Sequence, residues 1–290
     1  MKLARFDSTR GASVGVVLGD EIADIRQVAP HLSLNPVDIL GAGKTGLEMA
    51  AAAARTAPKL KLSEVRLLAP VARPGKVLGI GLNYADHAKE TGRDLPTTQM
   101  WFSKQTTSVN DPYAPIAMPV VSSALDWEVE LVVVICKRGR FVPRERASEI
   151  IGGYMVGNDI SVRDWQRATP TMMMGKGFDT HAPIGPWITT PDEAGNVQNL
   201  KLTCSVNGEV LQNASTSEMV FDVPAQIEHL TKAMTLEPGD LLFTGTPAGV
   251  GVARNPPRFM KVGDKVRCEI EKLGHIEALI QPEDGSTRIG

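Results

Sequence analysis

The chain has 290 residues, 42% of them hydrophobic and 22% charged, with a formal net charge of −2. That is enough apolar material for one large domain, or for one large and one small. It has no basic block to hold nucleic acid, and no apolar run approaches the roughly 20 residues that span a bilayer. The N-terminus, MKLARFDSTRGASV, lacks the apolar centre of a secretory signal. The three cysteines, Cys136, Cys204 and Cys268, are odd in number and far apart. Buried free thiols in a reducing, cytoplasmic setting are the expectation.

In chain order, residues 12–18 and 21–25 predict a hairpin turning at Gly19-Asp20. A helical stretch follows, with Asn35 as cap and Pro36 in the first turn. It is interrupted around 41–46 and continues through the alanine-rich 47–55. Gly43-Lys44-Thr45 resembles the end of a phosphate-binding loop, but Asp38 stands where its first glycine is required and no strand precedes it. Residues 69–75, APVARPG, read as a linker, so 1–70 form a small N-terminal α/β domain and 71–290 a larger one.

From Lys76 onward strands dominate. They are predicted at 77–81, 127–136, 153–157, 241–244, 265–270 and 276–280, with a hairpin over 201–211 turning on Asn207-Gly208. Pro143 opens one short helix. Another starts near Pro224, with Asp222 as cap and Ile227, Leu230 and Met234 on one face. Strand–helix–strand alternation is sparse, which predicts an α+β fold: a mixed β-rich core with peripheral helices.

The run Leu125-Asp126-Trp127-Glu128-Val129-Glu130-Leu131-Val132-Val133-Val134-Ile135 reads as one strand, apolar on both faces. Alternation puts Glu128 and Glu130 on the face of Val132 and Val134. Two carboxylates along a buried strand require a proton on one of them, a cation between them, or a strand end that reaches water. A cation there would be a hard divalent ion such as Mg²⁺ or Mn²⁺.

Other residues invite two readings each. Asp159, in Gly157-Asn158-Asp159-Ile160-Ser161, is either a helix cap or a third oxygen ligand. His87 and Glu90 share a helix face, as a surface pair or as an imidazole oriented by a carboxylate. Lys176 sits between Gly175 and Gly177, in a flexible loop or close against a ligand. The glycine-rich 245–251 either turns tightly or cradles an anion with its amides. His181 shows no metal-ligand spacing and reads as a loop or packed histidine.

Five strings in this order resemble the fumarylacetoacetate hydrolase family, in particular shorter bacterial members with a small N-terminal domain. They are Gly81-Leu82-Asn83-Tyr84-Ala85-Asp86-His87, the segment 125–131, Gly157-Asn158-Asp159-Ile160-Ser161-Val162-Arg163-Asp164, Met174-Gly175-Lys176-Gly177-Phe178-Asp179-Thr180, and 241–251. The resemblance spans roughly 77–280. It implies a mixed β-sandwich roll, a homodimer, and a Mg²⁺, Mn²⁺ or Ca²⁺ ion held by Glu128, Glu130 and Asp159. It also implies His87 and Glu90 as an acid/base dyad, with Lys176 stabilising negative charge and Arg163, Gln166 and Thr246 contacting substrate.

The activity it implies is hydrolysis of a carbon–carbon bond in a 1,3-diketo (acylpyruvate-type) acid. His87 would activate water against the distal carbonyl, and pyruvate and a carboxylic acid would leave. The same site suits an oxaloacetate decarboxylase or a hydroxymuconate-type isomerase or lyase. A metal-bound scaffold that only binds a small acid is the non-enzymatic alternative. Gly92 and Pro96 flank a polar stretch, so 86–97 are expected to order over a bound 2-oxo acid.

Overall fold

A computed structural model describes residues 1–289. Its centre is a twelve-stranded mixed sheet. Across the sheet run Lys59–Lys61, Glu21–Asp24, Gly11–Leu18, Lys2–Ser8, Ala182–Thr189, Ile151–Asn158, Val129–Ile135, Leu241–Phe243, Val77–Gly81 and Met100–Lys104. Arg66–Leu68 and Val109–Asn110 attach off this path. A second sheet has five strands: Glu209–Ser215, Lys201–Val206, Lys265–Ile270, Gly274–Pro282 and Ile116–Met118.

Val129–Ile135 explains the layering. Every residue in it is buried. Val129, Leu131, Val133 and Ile135 join Leu202, Cys204, Val266 and Ile276 of the second sheet in one core. Val132 and Val134 join Ile39, Leu40 and Ala50 of the N-terminal helices in another. A strand covered on both faces needs apolar residues at successive positions, and this run supplies them. The result is the α+β, mixed β-sandwich architecture that the sequence predicts, with helices at the periphery.

Residues 1–70 add their strands to the same sheet. Lys2–Ser8 pairs antiparallel with Ala182–Thr189, Lys2 opposite Thr189 and Leu3 opposite Ile188. Helices Pro36–Gly41 and Gly43–Thr56 cover the Val132 face.

Local signals act as expected. Asn35 accepts from the Val37 amide and Asp222 from the Ala225 amide, each capping its helix. Asn207 and Gly208 both take positive φ, 53° and 83°, as a two-residue hairpin turn demands. The helix opened by Pro143 is a 3₁₀ helix, Arg144–Glu149. The cysteines are free and buried, with Cys204 opposite Cys268 on neighbouring strands. Among the described residues no helix is long and apolar enough to cross a membrane.

Two expectations need correction. The run 125–135 is not one strand: Leu125–Asp126 pairs with Ser161–Val162, and Val129–Ile135 begins after a gap. Asp159 is not a helix cap either. The helix that follows is Arg163–Arg167, and Val162 precedes it without a side-chain cap.

Candidate metal centre and active-site cavity

The gap before Val129–Ile135 builds the site. Asp126 accepts from the amides of Trp127, Gly251 and Val252 at 2.8, 2.7 and 2.9 Å. Asn158 Oδ1 takes the Glu128 amide at 2.9 Å. The amides of Trp127 and Glu128 thus bond to side chains and leave the ladder, so Glu128 is released from the pleat. Glu130 lies on the strand itself. Asp159 follows Ile151–Asn158, and its amide donates to Glu128 O at 2.9 Å. Glu128, Glu130 and Asp159 are buried, and each offers an oxygen within 4.8 Å of the others.

Charge is unequal here. Four buried carboxylates, those three and Asp126, meet three buried cations, Lys104, Arg163 and Lys176. Lys104 Nζ reaches Asp159 Oδ1 at 2.6 Å. Lys176 Nζ donates to Glu128 Oε2 and Asp159 Oδ2, both at 2.7 Å. Arg163 Nε donates to Asp126 Oδ2 at 2.8 Å, and its Nη2 lies 2.7 Å from Glu128 Oε1. Burial alone would raise the Glu128 pKa, but the charges of Lys176 and then Arg163 outweigh it and hold it at about 2. Burial lowers the Lys176 pKa, yet Asp159 and Glu128 outweigh it and leave a net rise. Among the described residues Glu130 makes no ion pair; its Oε2 accepts from the Gly245 amide at 2.7 Å. Burial, then the charges of Asp159 and Glu128, push its pKa well up. The cluster therefore calls for one more positive charge beside Glu130. Three convergent carboxylate oxygens are the donor set of a hard divalent ion, so these residues fit Mg²⁺, Mn²⁺ or Ca²⁺.

A cavity of about 550 Å³ opens onto this cluster, lined by Glu128, Glu130, His87, Lys176, Arg163, Gln166 and Thr246 among others. The other two residues singled out from the sequence lie behind its wall: Asp159 against Lys176, and Glu90 against His87. His87 stands in the helix Ala85–Glu90, its Nδ1 2.7 Å from Glu90 Oε1. Glu90 Oε2 is in turn fixed by the Gly249 amide at 2.9 Å. A carboxylate at Nδ1 places the ring proton there and leaves Nε2 with its lone pair. Within 86–97, His87 and Ala88 are buried, Asp86 and Lys89 face solvent, and 92–95 are exposed throughout.

The glycines around Lys176 have a steric purpose. A Cβ on Gly175 would lie 2.2 Å from the Gln166 amide nitrogen, so only glycine lets the helix Met173–Lys176 approach Arg163–Arg167. Lys176 is buried, 4.9 Å over the Phe102 ring. The 245–251 loop does cradle anions with its amides, and those anions are the protein's own: Glu130, Glu90 and Asp126. His181 is a packed histidine, stacked on Phe178 with Nε2 2.8 Å from Ala117 O.

Lys104, Asp126, Asn158 and Gln212 belong to the site as well. Gln212 accepts from the Val129 amide and donates to Thr246 Oγ1 and Pro247 O. Asp126 and Asn158 lie in quoted motifs beside the carboxylates. Lys104 and Gln212 carry no such signal.

The model described as fumarylacetoacetate (FAA) hydrolase C-terminal matches residues 76–281. The chain belongs to this family. A second model, Rv2993c-like N-terminal, matches residues 1–70. Within the fumarylacetoacetate hydrolase family, the chain is 42% identical over 283 residues to a Bos taurus protein named oxaloacetate tautomerase FAHD2A, mitochondrial, covering 95% of this chain and 90% of that one. A fumarylacetoacetate hydrolase from Exiguobacterium antarcticum superposes with a TM-score of 0.86 at 33% identity, over 98% of this chain and 100% of that one. Maleylpyruvate hydrolase from Sphingobium sp. SYK-6, in complex with manganese(II) and pyruvate, superposes with a TM-score of 0.83 at 31% identity and the same coverage.

Proposed function

We propose that this protein interconverts the enol and keto forms of a short 2-oxo acid of the oxaloacetate type. The observation that carries the reading is His87: a base oriented by Glu90 at 2.7 Å, lining the same cavity as the carboxylate cluster. Tautomerisation moves one proton between C3 and the 2-oxo oxygen. It needs a base for C3 and positive charge near the oxygen.

His87 Nε2 takes the C3 proton, and Glu90 stabilises the imidazolium that results. His87 then gives that proton up to the enolate oxygen, directly or through water, which forms the enol and restores the neutral base; the reverse sequence forms the keto acid. Lys176 and Arg163 hold the negative charge that develops on the substrate oxygen. Gln166 contributes its side-chain amide, kept in place by Arg163 Nη1 at 2.9 Å from Gln166 Oε1. The Thr246 hydroxyl donates to Val129 O and accepts from Gln212 Nε2, so it faces a substrate oxygen without a free proton to donate. A divalent cation at Glu128, Glu130 and Asp159 would supply Lewis acidity and a chelation point for the 2-oxo carboxylate.

The 42% identity to an oxaloacetate tautomerase supports this reading over carbon–carbon hydrolysis. Hydrolysis of an acylpyruvate to pyruvate and a carboxylic acid is the second reading, favoured by the likeness to a maleylpyruvate hydrolase. In it His87 deprotonates water rather than C3. Stopped-flow decay of enol-oxaloacetate with Mg²⁺, run beside pyruvate release from acylpyruvates, separates the two. Enol decay faster than in buffer, without pyruvate release, supports tautomerisation. Pyruvate release with no acceleration of enol decay replaces it with hydrolysis. A cytoplasmic location and a homodimer belong to the same proposal, tested by cell fractionation and analytical ultracentrifugation.

A further inference from the structure

Four lysine and arginine side chains line the cavity: Arg93, Arg163, Arg167 and Lys176. Arg163 and Lys176 are buried and committed to Asp126, Glu128 and Asp159. Arg93 and Arg167 are exposed, and among the described residues neither guanidinium has a carboxylate partner or a hydrogen-bond acceptor. The acids lining this cavity, Glu128 and Glu130, are both buried at its floor.

Both arginines are tied to catalytic geometry. The helix that carries His87 and Glu90 is capped by Thr91 and followed by Gly92, where φ is 68°. The Gly92 amide donates to Lys89 O at 3.0 Å and the Arg93 amide to Ala88 O at 2.9 Å. This paired C-terminal turn sets where the chain leaves the helix, and so places Arg93 relative to His87. Arg167 follows Arg163 by four residues in the helix Arg163–Arg167, one turn along the same face, a rise of about 6 Å. A four-carbon dicarboxylic acid spaces its carboxylate carbons roughly 4 Å apart, and the oxygens extend that by roughly 1 Å at each end. A ligand with one carboxylate near Arg163 therefore brings the other within reach of Arg167.

Charge points the same way. The floor carries four carboxylates and three cations. A divalent ion would leave it with one positive charge, the complement of one substrate carboxylate. A second carboxylate has no counterpart there, and Arg93 and Arg167 are the cations left to receive it. We infer that Arg93 and Arg167 form a distal-carboxylate subsite that selects 2-oxo dicarboxylic acids over monocarboxylic ones. The inference rests on the proposed 2-oxo-acid site for the placement of the first carboxylate.

Malate and lactate share a 2-hydroxy acid head and differ by the distal carboxylate. Calorimetric titration of the Mg²⁺-loaded protein with each, at fixed ionic strength, measures the subsite without turnover. Wild type should bind malate more tightly than lactate. Each of R93Q and R167Q should weaken malate binding by about 10-fold, the size of one charge-assisted hydrogen bond. The double variant should bind the two acids equally, with lactate affinity held. Wild type that shows no preference for malate overturns the inference. So does a loss shared equally by both acids, which would mark the arginines as long-range steering charges only. A wild type that prefers malate but does not accelerate enol-oxaloacetate decay would remove the proposed function and leave this subsite standing.

Discussion

Lys104 Nζ donates to Asp159 Oδ1 at 2.6 Å, and both side chains are wholly shielded from water. The contact occupies one oxygen of Asp159 and leaves the other, Oδ2, to Lys176 at 2.7 Å. Burial lowers the Lys104 pKa against the pull of Asp159, so the pair holds its charge at a cost in desolvation. Replacing Lys104 with Met should therefore destabilise the metal-free protein, by less than the about 3–5 kcal/mol that a fully orphaned buried charge costs, because Asp159 keeps Lys176. Mn²⁺ should restore part of that loss, because it supplies the missing positive charge. Urea melts of wild type and variant with and without Mn²⁺ check this; equal losses in both conditions would count against it.

His87 and Glu90 should behave as one unit. Loss of the imidazole in His87→Ala should lower kcat by about 10²–10⁴-fold, the range for a positioned general base. Glu90→Ala frees both the ring and the Gly249 amide that Glu90 binds. The double variant should be little worse than His87→Ala alone, since groups acting together lose their effect together. Steady-state rates of all three would show it, and fully additive losses would mean separate roles.

His181 sets a pH dependence of stability. Burial depresses its pKa to about 3, against the lesser opposing effect of its bond to Ala117 O. An unfolded histidine titrates near 6.5, so above that pH neither state is protonated and the group contributes nothing. As pH falls below 6.5 the unfolded chain takes up a proton that the folded one refuses, and stability drops until pH reaches about 3. By pH 5 the loss is about 2 kcal/mol. The drop in stability between pH 7 and pH 5 should shrink in His181→Gln, read by urea melts at both values. An unchanged drop would assign the pH dependence elsewhere.

Much of the site is legible in the sequence because it is local. Glu130 falls on the face of Val132 by alternation alone, and His87 and Glu90 meet by helical spacing. The break at Trp127–Glu128 is not local. It depends on Asn158 and Gly251, 30 and 125 residues away, whose bonds to Glu128 and Asp126 replace the ladder. A period-two pattern cannot register that competition, so the run reads as one strand. Lys104 is hidden for a related reason. At the end of Met100–Lys104 it has the look of a solvated lysine, and its buried partner, Asp159, lies 55 residues away. The 245–251 loop carries a correct chemical signal, amides for an anion, whose targets lie in three other segments.

The N-terminal segment shares its core with the rest of the chain, which bears on the division at residue 70. Leu3, Val14, Ile39 and Ala50 pack in one cluster with Val132, Ile184 and Phe243. Removing 1–70 would uncover that apolar face and the edge of Ala182–Thr189. A fragment 71–290 should therefore aggregate or expose dye-binding apolar surface, where the full chain does not. A monodisperse, cooperatively melting fragment would show instead that the larger part stands alone.

The proposed role of His87, held by Glu90 in the cavity that Glu128 and Glu130 line, is to move a proton at C3 of a 2-oxo acid. Solvent deuterium incorporation at C3 of oxaloacetate, followed by NMR with Mg²⁺ and corrected for the enzyme-free rate, tests it most directly. Wild type should exchange C3 hydrogens well above background, and His87→Gln should lose about 10²-fold or more of that rate while still binding malate. Exchange at the wild-type rate in His87→Gln would show that another group moves the C3 proton.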